Sequence, residues 1–278
     1  MSVRRICHSF EMSPQAYYKK RAHRVRSKPD QERELLARVS AVRRTLPRVG
    51  TRKLYHLLGP DIGRDGFFAL LKRHGLLIKP KRRFAVTTQS DRFSRWTNLI
   101  RDYEPQEAEA LLVSDLTYIK GPNQDYYYAA LVTDATSRKI MGYDMSASLA
   151  PEGALRALDM ALSRMDTTIG VIHHSDRGFQ YNSRCYVDRL ESAGLRISMT
   201  ERNHCYENAL AERVNGILKH EFMLKETFPS LKEAKKALDE AVHLYNTFRP
   251  HLSLDYQTPQ QVHQKLRKNT EPKSVNFS

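Results

Sequence analysis

The sequence predicts an α/β protein: a mixed five-stranded sheet with flanking helices, preceded by a small all-α module. Three observations carry this expectation. Residues 1–100 hold 24 Lys+Arg against 7 Asp+Glu, whereas residues 101–278 hold 22 against 24, so the basic excess of the 278-residue chain sits in its first third. From residue 111 the texture changes to short runs rich in Val, Ile, Tyr and Thr. After residue 150, strand-like runs alternate with helical ones, the pattern of parallel pairing through crossovers.

The first predicted element is an amphipathic helix over 31–46, with Leu35, Leu36, Val39, Val42 and Leu46 on one face. Thr51 to Leu58 reads as a second helix with Thr51 as its cap, and Arg64 to His74 as a third closed by Gly75. Three short helices with tight turns predict a helix-turn-helix-like module over 31–80, within a basic region spanning 1–83. Arg64, Lys72 and Arg73 on the third helix, with Lys79, Lys81, Arg82 and Arg83 behind it, are candidate phosphate contacts. Residues 84–100 read as a linker in which Trp96, the sole tryptophan, anchors the next domain.

The core is expected over 101–265. Leu111 to Lys120, Asp125 to Asp134 and Lys139 to Ser146 are strands joined by four-residue connections, hence an antiparallel meander. A helix over Pro151 to Met165 follows, then a strand over Gly170 to Asp176. Ser183 to Ala193 is a helix closed by Gly194, and Leu195 to Thr200 is a fifth strand. Asn208 to Glu221 and Leu231 to Phe248 are helices, the chain is loop-rich from Arg249, and 266–278 is a flexible tail. This order of elements is that of a ribonuclease-H-like sheet, which by itself specifies no activity.

Composition narrows the function classes. No apolar run approaches the ~20 residues that cross a bilayer, and the N-terminus lacks a signal-like apolar segment, so a cytoplasmic, nucleoid-associated protein is expected. Cys7, Cys185 and Cys205 are odd in number and widely spaced, which supports neither a disulfide framework nor a zinc cage. A basic segment joined to a near-neutral body suits a polyanion such as DNA.

The acids carry the chemistry. Asp115 lies mid-strand in the apolar context Leu112-Val113-Ser114-Asp115-Leu116, where a carboxylate is expensive unless it has a use. Asp176 sits at the carboxyl end of the fourth strand, and if the first and fourth strands are neighbours the two aspartates lie side by side. On the helix that follows, Asn208, Glu212, Asn215 and Lys219 form one stripe opposite Leu210, Val214 and Ile217. That stripe is either solvated or turned with its Glu212 edge toward the aspartates. Three carboxylates without Cys or His clustering favour Mg²⁺ or Mn²⁺, and two such ions ~4 Å apart serve phosphoryl transfer.

Several segments then resemble one family. Ser114-Asp115-Leu116-Thr117-Tyr118-Ile119, His174-Ser175-Asp176-Arg177-Gly178-Phe179-Gln180-Tyr181, Glu207-Asn208-Ala209-Leu210-Ala211-Glu212, Leu218-Lys219-His220-Glu221 and Tyr245-Asn246-Thr247-Phe248-Arg249-Pro250-His251 are similar to motifs of the OrfB-type transposases of insertion sequences, whose core resembles retroviral integrases. Between Asp176 and Glu212 lie 35 residues, the interval of the integrase-like acid triad, and Lys219 stands seven residues beyond Glu212. The resemblance implies that Asp115, Asp176 and Glu212 are catalytic metal ligands. It also implies DNA cleavage and strand transfer at terminal inverted repeats, with Lys219 as a DNA contact. Asn208 and Arg177, which flank the acids in these motifs, are further candidate DNA contacts. The implied partners are the element's ends and target DNA, further copies of the chain on that DNA, and an upstream helix-turn-helix and leucine-zipper protein, separate or fused. Two departures fall before Glu212: Glu207 where the family usually has aspartate, and Asn203 where a glycine is expected.

The remaining candidates have plainer readings. Asp125, Asp134 and Asp144 suit turns or caps, His173 and His174 a structural or DNA-contact role, and Tyr126-Tyr127-Tyr128 strand packing. Two alternatives stay open at this point: a nuclease of the same fold that never joins strands, and a non-catalytic DNA-binding regulator.

Overall fold

A computed structural model describes residues 9–78, 96–201 and 208–270, together with Val3 and Cys7. Contacts divide the chain into two compact units, residues 1–45 with 50–79, and residues 46–49 with 80–278. Lys79, Lys81, Arg82, Arg83, Asn203, Cys205 and Glu207 lie outside the described residues.

The first unit is helical, with α1 at Pro14–Thr45, α2 at Thr51–Leu58 and α3 at Arg64–Arg73. α1 starts far earlier than the expected residue 31. Its first half is rich in Lys, Arg and Ala, which favour helix without an apolar stripe, and Ser13 Oγ accepts the Ala16 N–H (3.1 Å) ahead of Pro14. Thr51 is not a cap: it is the first helical residue of α2 and buried, with Gly50 in the cap position. Leu35, Val39, Leu54, Phe67, Leu70 and Leu71 are buried within the unit. Arg38 donates to the Leu58 carbonyl (2.6 Å), tying α1 to α2.

The second unit contains β1 (Leu111–Lys120), β2 (Tyr126–Asp134) and β3 (Ile140–Ser146), then α4 (Pro151–Leu162) and β4 (Ile172–Ser175). After these come α5 (Phe179–Asn182), α6 (Arg184–Ser192), β5 (Arg196–Met199), α7 (Ala209–Glu221), α8 (Leu231–Thr247) and α9 (Pro259–Thr270). The sheet order is β3-β2-β1-β4-β5. β1 and β2 pair antiparallel, as do β2 and β3, while β4 is parallel to both β1 and β5. This is the expected ribonuclease-H-like arrangement.

The two faces of the sheet build separate cores because alternate strand residues point opposite ways. Leu112, Ala130, Val132 and Met141 pack with Ala157, Leu158, Tyr181, Tyr186 and Leu190 from α4 to α6. Trp96 packs against this cluster, as its anchoring role requires. On the other face Ile119, Ala129, Leu131 and Met145 meet Val214 and Leu218 of α7 and Leu238, Val242 and Tyr245 of α8. Gly142 permits the close approach of α4, since a Cβ there would stand 1.9 Å from the Ala157 carbonyl oxygen.

The expected loop-rich tail is corrected by α9. Its start carries a reciprocal cap: the Thr258 N–H donates to Gln261 Oε1 (2.9 Å) and the Gln261 N–H to Thr258 Oγ1 (3.3 Å), with Pro259 in the first turn. α9 continues through Thr270, into the segment expected to be tail.

Candidate active site

The register decides the site. β1 and β4 pair in parallel with Ser114 opposite Ser175, so Asp115 and Asp176, each the next residue, stand beside one another at the end of β4. Asp176 is held by a turn in which its Oδ1 accepts the Gly178 N–H (2.9 Å). A Cβ on Gly178 would lie 2.9 Å from that oxygen, so a side chain there would displace the carboxylate.

α7 covers the pair. Its polar stripe is not turned to solvent: Asn208 and Asn215 are buried, Asn208 Nδ2 donates to the Ser114 carbonyl (3.1 Å), and Asn215 Nδ2 donates to Asp115 Oδ2 (2.7 Å). Asp115 Oδ1 also accepts the Leu116 N–H (2.9 Å). Glu212, one turn from each asparagine, is exposed on the same edge.

Electrostatics ties the three acids together. Burial, and then the charge of Asp176, push the Asp115 carboxyl up to about 7 against the pull of its two hydrogen bonds, and Glu212 adds to the push. Glu212 is itself raised, by burial and then by Asp176. Like charges held this close disfavour one another's ionised form unless a cation joins them. The Lys219 ammonium is lowered by burial and partly restored by Asp115, which puts it within the field of the site. Tyr181 is buried, and its hydroxyl is pushed well above the ordinary range by burial and by Tyr186, Asp115 and Asp176.

The donor set fits a hard divalent ion, since all the available ligand atoms are oxygens. Asn215 Oδ1, beside the acids, is buried without a hydrogen-bond partner among the described residues. No three His, Cys, Asp or Glu side chains among the described residues stand close enough to hold an ion. The three acids therefore share one electrostatic field without closing on a common point.

Other candidates resolve differently. Asn208 is clamped to β1 and buried, so it is a structural pin and not a surface available to DNA. Arg177 donates from Nε to the Thr200 carbonyl (2.6 Å) and from its terminal nitrogen to the Glu201 carbonyl, which commits its guanidinium to the chain beyond β5. Arg64 pairs with Asp65 (3.2 Å) and Arg73 with Glu32 (3.0 Å), while Lys72 is exposed. His173 Nε2 meets Ser114 Oγ (2.8 Å) and Tyr186 OH (3.0 Å), and burial holds the imidazole down to about 3, so it is a neutral strut beneath β1. His174 Nδ1 contacts Ser198 Oγ (2.9 Å), likewise inside the sheet.

Asp134 is fully buried and accepts from the Glu109, Thr136 and Ser137 N–H groups, a turn role as expected. Asp144 pairs with Arg156 (2.7 Å). Tyr127 packs in the core, whereas Tyr118, Tyr126 and Tyr128 form an edge-to-face cluster on the other side of the strands. Cys7 and Cys185 are free thiols. In the late motif, Asn246 bonds both the N–H and the carbonyl of Ile140 (3.0 Å each), and Arg249 forms a two-pronged pair with Glu221 (2.7 and 2.8 Å). These residues fix α7 and α8 to β3.

Sequence reasoning did not single out Asn215 as the partner of Asp115. The signal was present: Asn215 lies on the Glu212 stripe, one turn beyond it.

Two models, each described as an integrase core domain, match residues 105–205 and 193–259. The Shigella sonnei "Insertion element IS600 uncharacterized 31 kDa protein" is 32% identical over 94% of this chain and 98% of its own. The Escherichia coli K12 "Transposase InsF for insertion sequence IS3A" is 32% identical over 71% of this chain and 69% of its own. In fold, the chain is similar to a chain of the simian T-cell lymphotropic virus intasome, with TM-score 0.50 and 18% identity over 83% of this chain and 76% of that one. The chain belongs to the insertion-sequence transposases of the acid-trio (DDE) type, enzymes built on an integrase core.

Proposed function

We propose that the chain cuts DNA at the terminal inverted repeats of its element and joins the freed 3′-hydroxyl to target DNA, with Asp115, Asp176 and Glu212 as the acids that hold two Mg²⁺ or Mn²⁺ ions. The observation that carries this reading is the convergence of three acids from β1, the end of β4 and α7 in one electrostatic field, where the charge of Asp176 raises both Asp115 and Glu212. When bound, the ions would activate the attacking hydroxyl and stabilise the leaving oxygen of a phosphodiester.

The chain's own groups do the positioning. Asn215 orients the Asp115 carboxylate, and Gly178 holds that of Asp176. Lys219, half-buried within reach of the field of Asp115, is placed to meet a DNA phosphate next to the acids. The first unit would recognise the element's ends in helix-turn-helix manner through Lys72 and its neighbours, and copies of the chain would assemble on the two ends. An upstream helix-turn-helix and leucine-zipper protein would act as partner or fusion.

The test is joining of a labelled terminal-repeat duplex to a target in Mg²⁺ or Mn²⁺. Joined product that disappears with a chelator and in Asp176→Asn is expected. Parent-like joining by Asp176→Asn overturns the assignment, and cleavage without joining by the parent replaces it with hydrolysis alone.

A further inference from the structure

Away from the acids, a pocket of about 380 Å³ opens between α9 and the residue preceding β3, lined by Lys139, Gln260, His263, Gln264, Arg267 and Lys268. Every one of these side chains can donate a hydrogen bond, and none is a carboxylate. The nearby acids are engaged behind the lining. Glu109 and Asp134 meet the two ring nitrogens of His263 (3.1 and 3.5 Å). Glu109 also meets Arg267 (3.5 Å), and Asp166 pairs with Arg267.

Lys139 and Lys268 form no ion pair among the described residues. Lys139 is half-buried, and its ammonium is lowered first by that burial, with Glu109 and Asp134 opposed by Arg164 and Arg267. A basic last turn on α9 would, by itself, be accounted for by the negative end of the helix dipole. That account covers Arg267 and Lys268 but not Lys139, which arrives from a different element and faces the same space. Lys139 and Lys268, gathered from two elements on one open pocket and without ion pairs among the described residues, suit an anion from outside.

We propose that this pocket takes a backbone phosphate of duplex DNA, a contact separate from the acid trio. The inference rests on the reading of the chain as an enzyme that acts on DNA. A cleft walled by flexible ammonium and amide groups makes no demand on base sequence, so the contact adds affinity and salt dependence uniformly across sequences.

The experiment measures binding of the full chain to a random-sequence duplex by anisotropy across a salt series, in the parent, Lys139→Gln/Lys268→Gln, Lys139→Arg and Lys265→Gln. Lys265 is exposed on α9 but does not line the pocket. The double variant is expected to bind about tenfold more weakly at low salt, with the slope of log K against log salt reduced by about one to two. Lys139→Arg should bind like the parent, as should Lys265→Gln within about twofold. Unchanged affinity and slope in the double variant overturn the proposal. So does equal weakening by Lys265→Gln, which would mean diffuse charge.

Inorganic phosphate supplies the other arm. If it raises the melting temperature of the parent but not of the double variant, while both bind duplex alike, the pocket serves a small free anion and the proposal fails. A parent that binds no duplex at all defeats the underlying reading as well, whereas duplex binding with acid-dependent joining and no effect of the double variant defeats the pocket alone.

Discussion

Two aspartates on neighbouring strands, Asp134 buried and Asp115 half-buried, have opposite surroundings. Asp134, at the end of β2, accepts three backbone N–H groups and the Ser137 hydroxyl, and faces His263 from α9. Asp115, in the middle of β1, has one backbone N–H and the Asn215 amide, and otherwise faces Asp176 and Glu212. Folding alone satisfies the first, since the protein itself supplies the donors. The second is left in mutual repulsion, which the fold tolerates at a cost to stability. A site meant to accept a cation from solvent has to be built in this second way.

The largest effect expected from this contrast is catalytic. Asp115→Asn should lower metal-dependent joining by at least about a thousandfold, because it removes a carboxylate proposed to hold the metal ions that stabilise the charge developing in the transition state. In metal-free buffer near pH 7 its melting temperature should equal or exceed the parent's, since a repulsive charge is gone; a marked fall would show that Asp115 is structural like Asp134. Asp134→Ala should do the reverse. It strands several buried donors and His263, and denaturant titration should show a loss of about 3–5 kcal/mol.

Asn215→Ala falls between the two. As a group that orients a ligand, it should reduce metal affinity or joining about 10–100-fold with little change in stability, and an unchanged metal titration would contradict that role. The smallest effect concerns pH. Burial lowers the His263 imidazole, but the nearby carboxylates of Asp134 and Glu109 more than offset it, so its folded value lies above the usual 6.5. A raised histidine contributes stability that is fully present below pH 6.5 and is lost as pH rises through the folded value. Amide hydrogen exchange in α9, corrected for the intrinsic rate, should therefore speed up on going from mildly acid to alkaline pH, and His263→Gln should flatten the dependence. Asp115 has the same sign in metal-free protein, losing stability as pH rises from about 3.8 to about 7, and bound Mg²⁺ should suppress that loss.

Much of this contrast was legible in the sequence. Local alternation and four-residue connections predict the β1–β3 meander, and the strand–helix–strand order predicts the parallel pairing of β4 and β5; the adjacency of Asp115 and Asp176 further needs β4 beside β1, which the structure supplies. Glu212 rested on its 35-residue interval from Asp176, and it is the member that the structure leaves most exposed. Asn208 is a candidate DNA contact by sequence, but in the structure it is buried and its Nδ2 donates to the Ser114 carbonyl, an engagement that no sequence pattern displays. Arg177 misled for the reason that makes cations near an active site attractive candidates: charge is visible in a sequence, but two carbonyls beyond β5 are not. The first half of α1 was hidden because a helix of cations carries no apolar period. α9 was hidden by Pro259, although Thr258 and Gln261 already spelled its cap.

The central claim is that the mutually repelling acids hold a divalent ion. Titrating Mn²⁺ into the full chain, with bound ion followed by water-proton relaxation, tests it most directly. Saturable binding in the parent, lost in Asp115→Asn and in Asp176→Asn and kept in Asp144→Asn, is the predicted result; binding that survives both of the first two substitutions would contradict it.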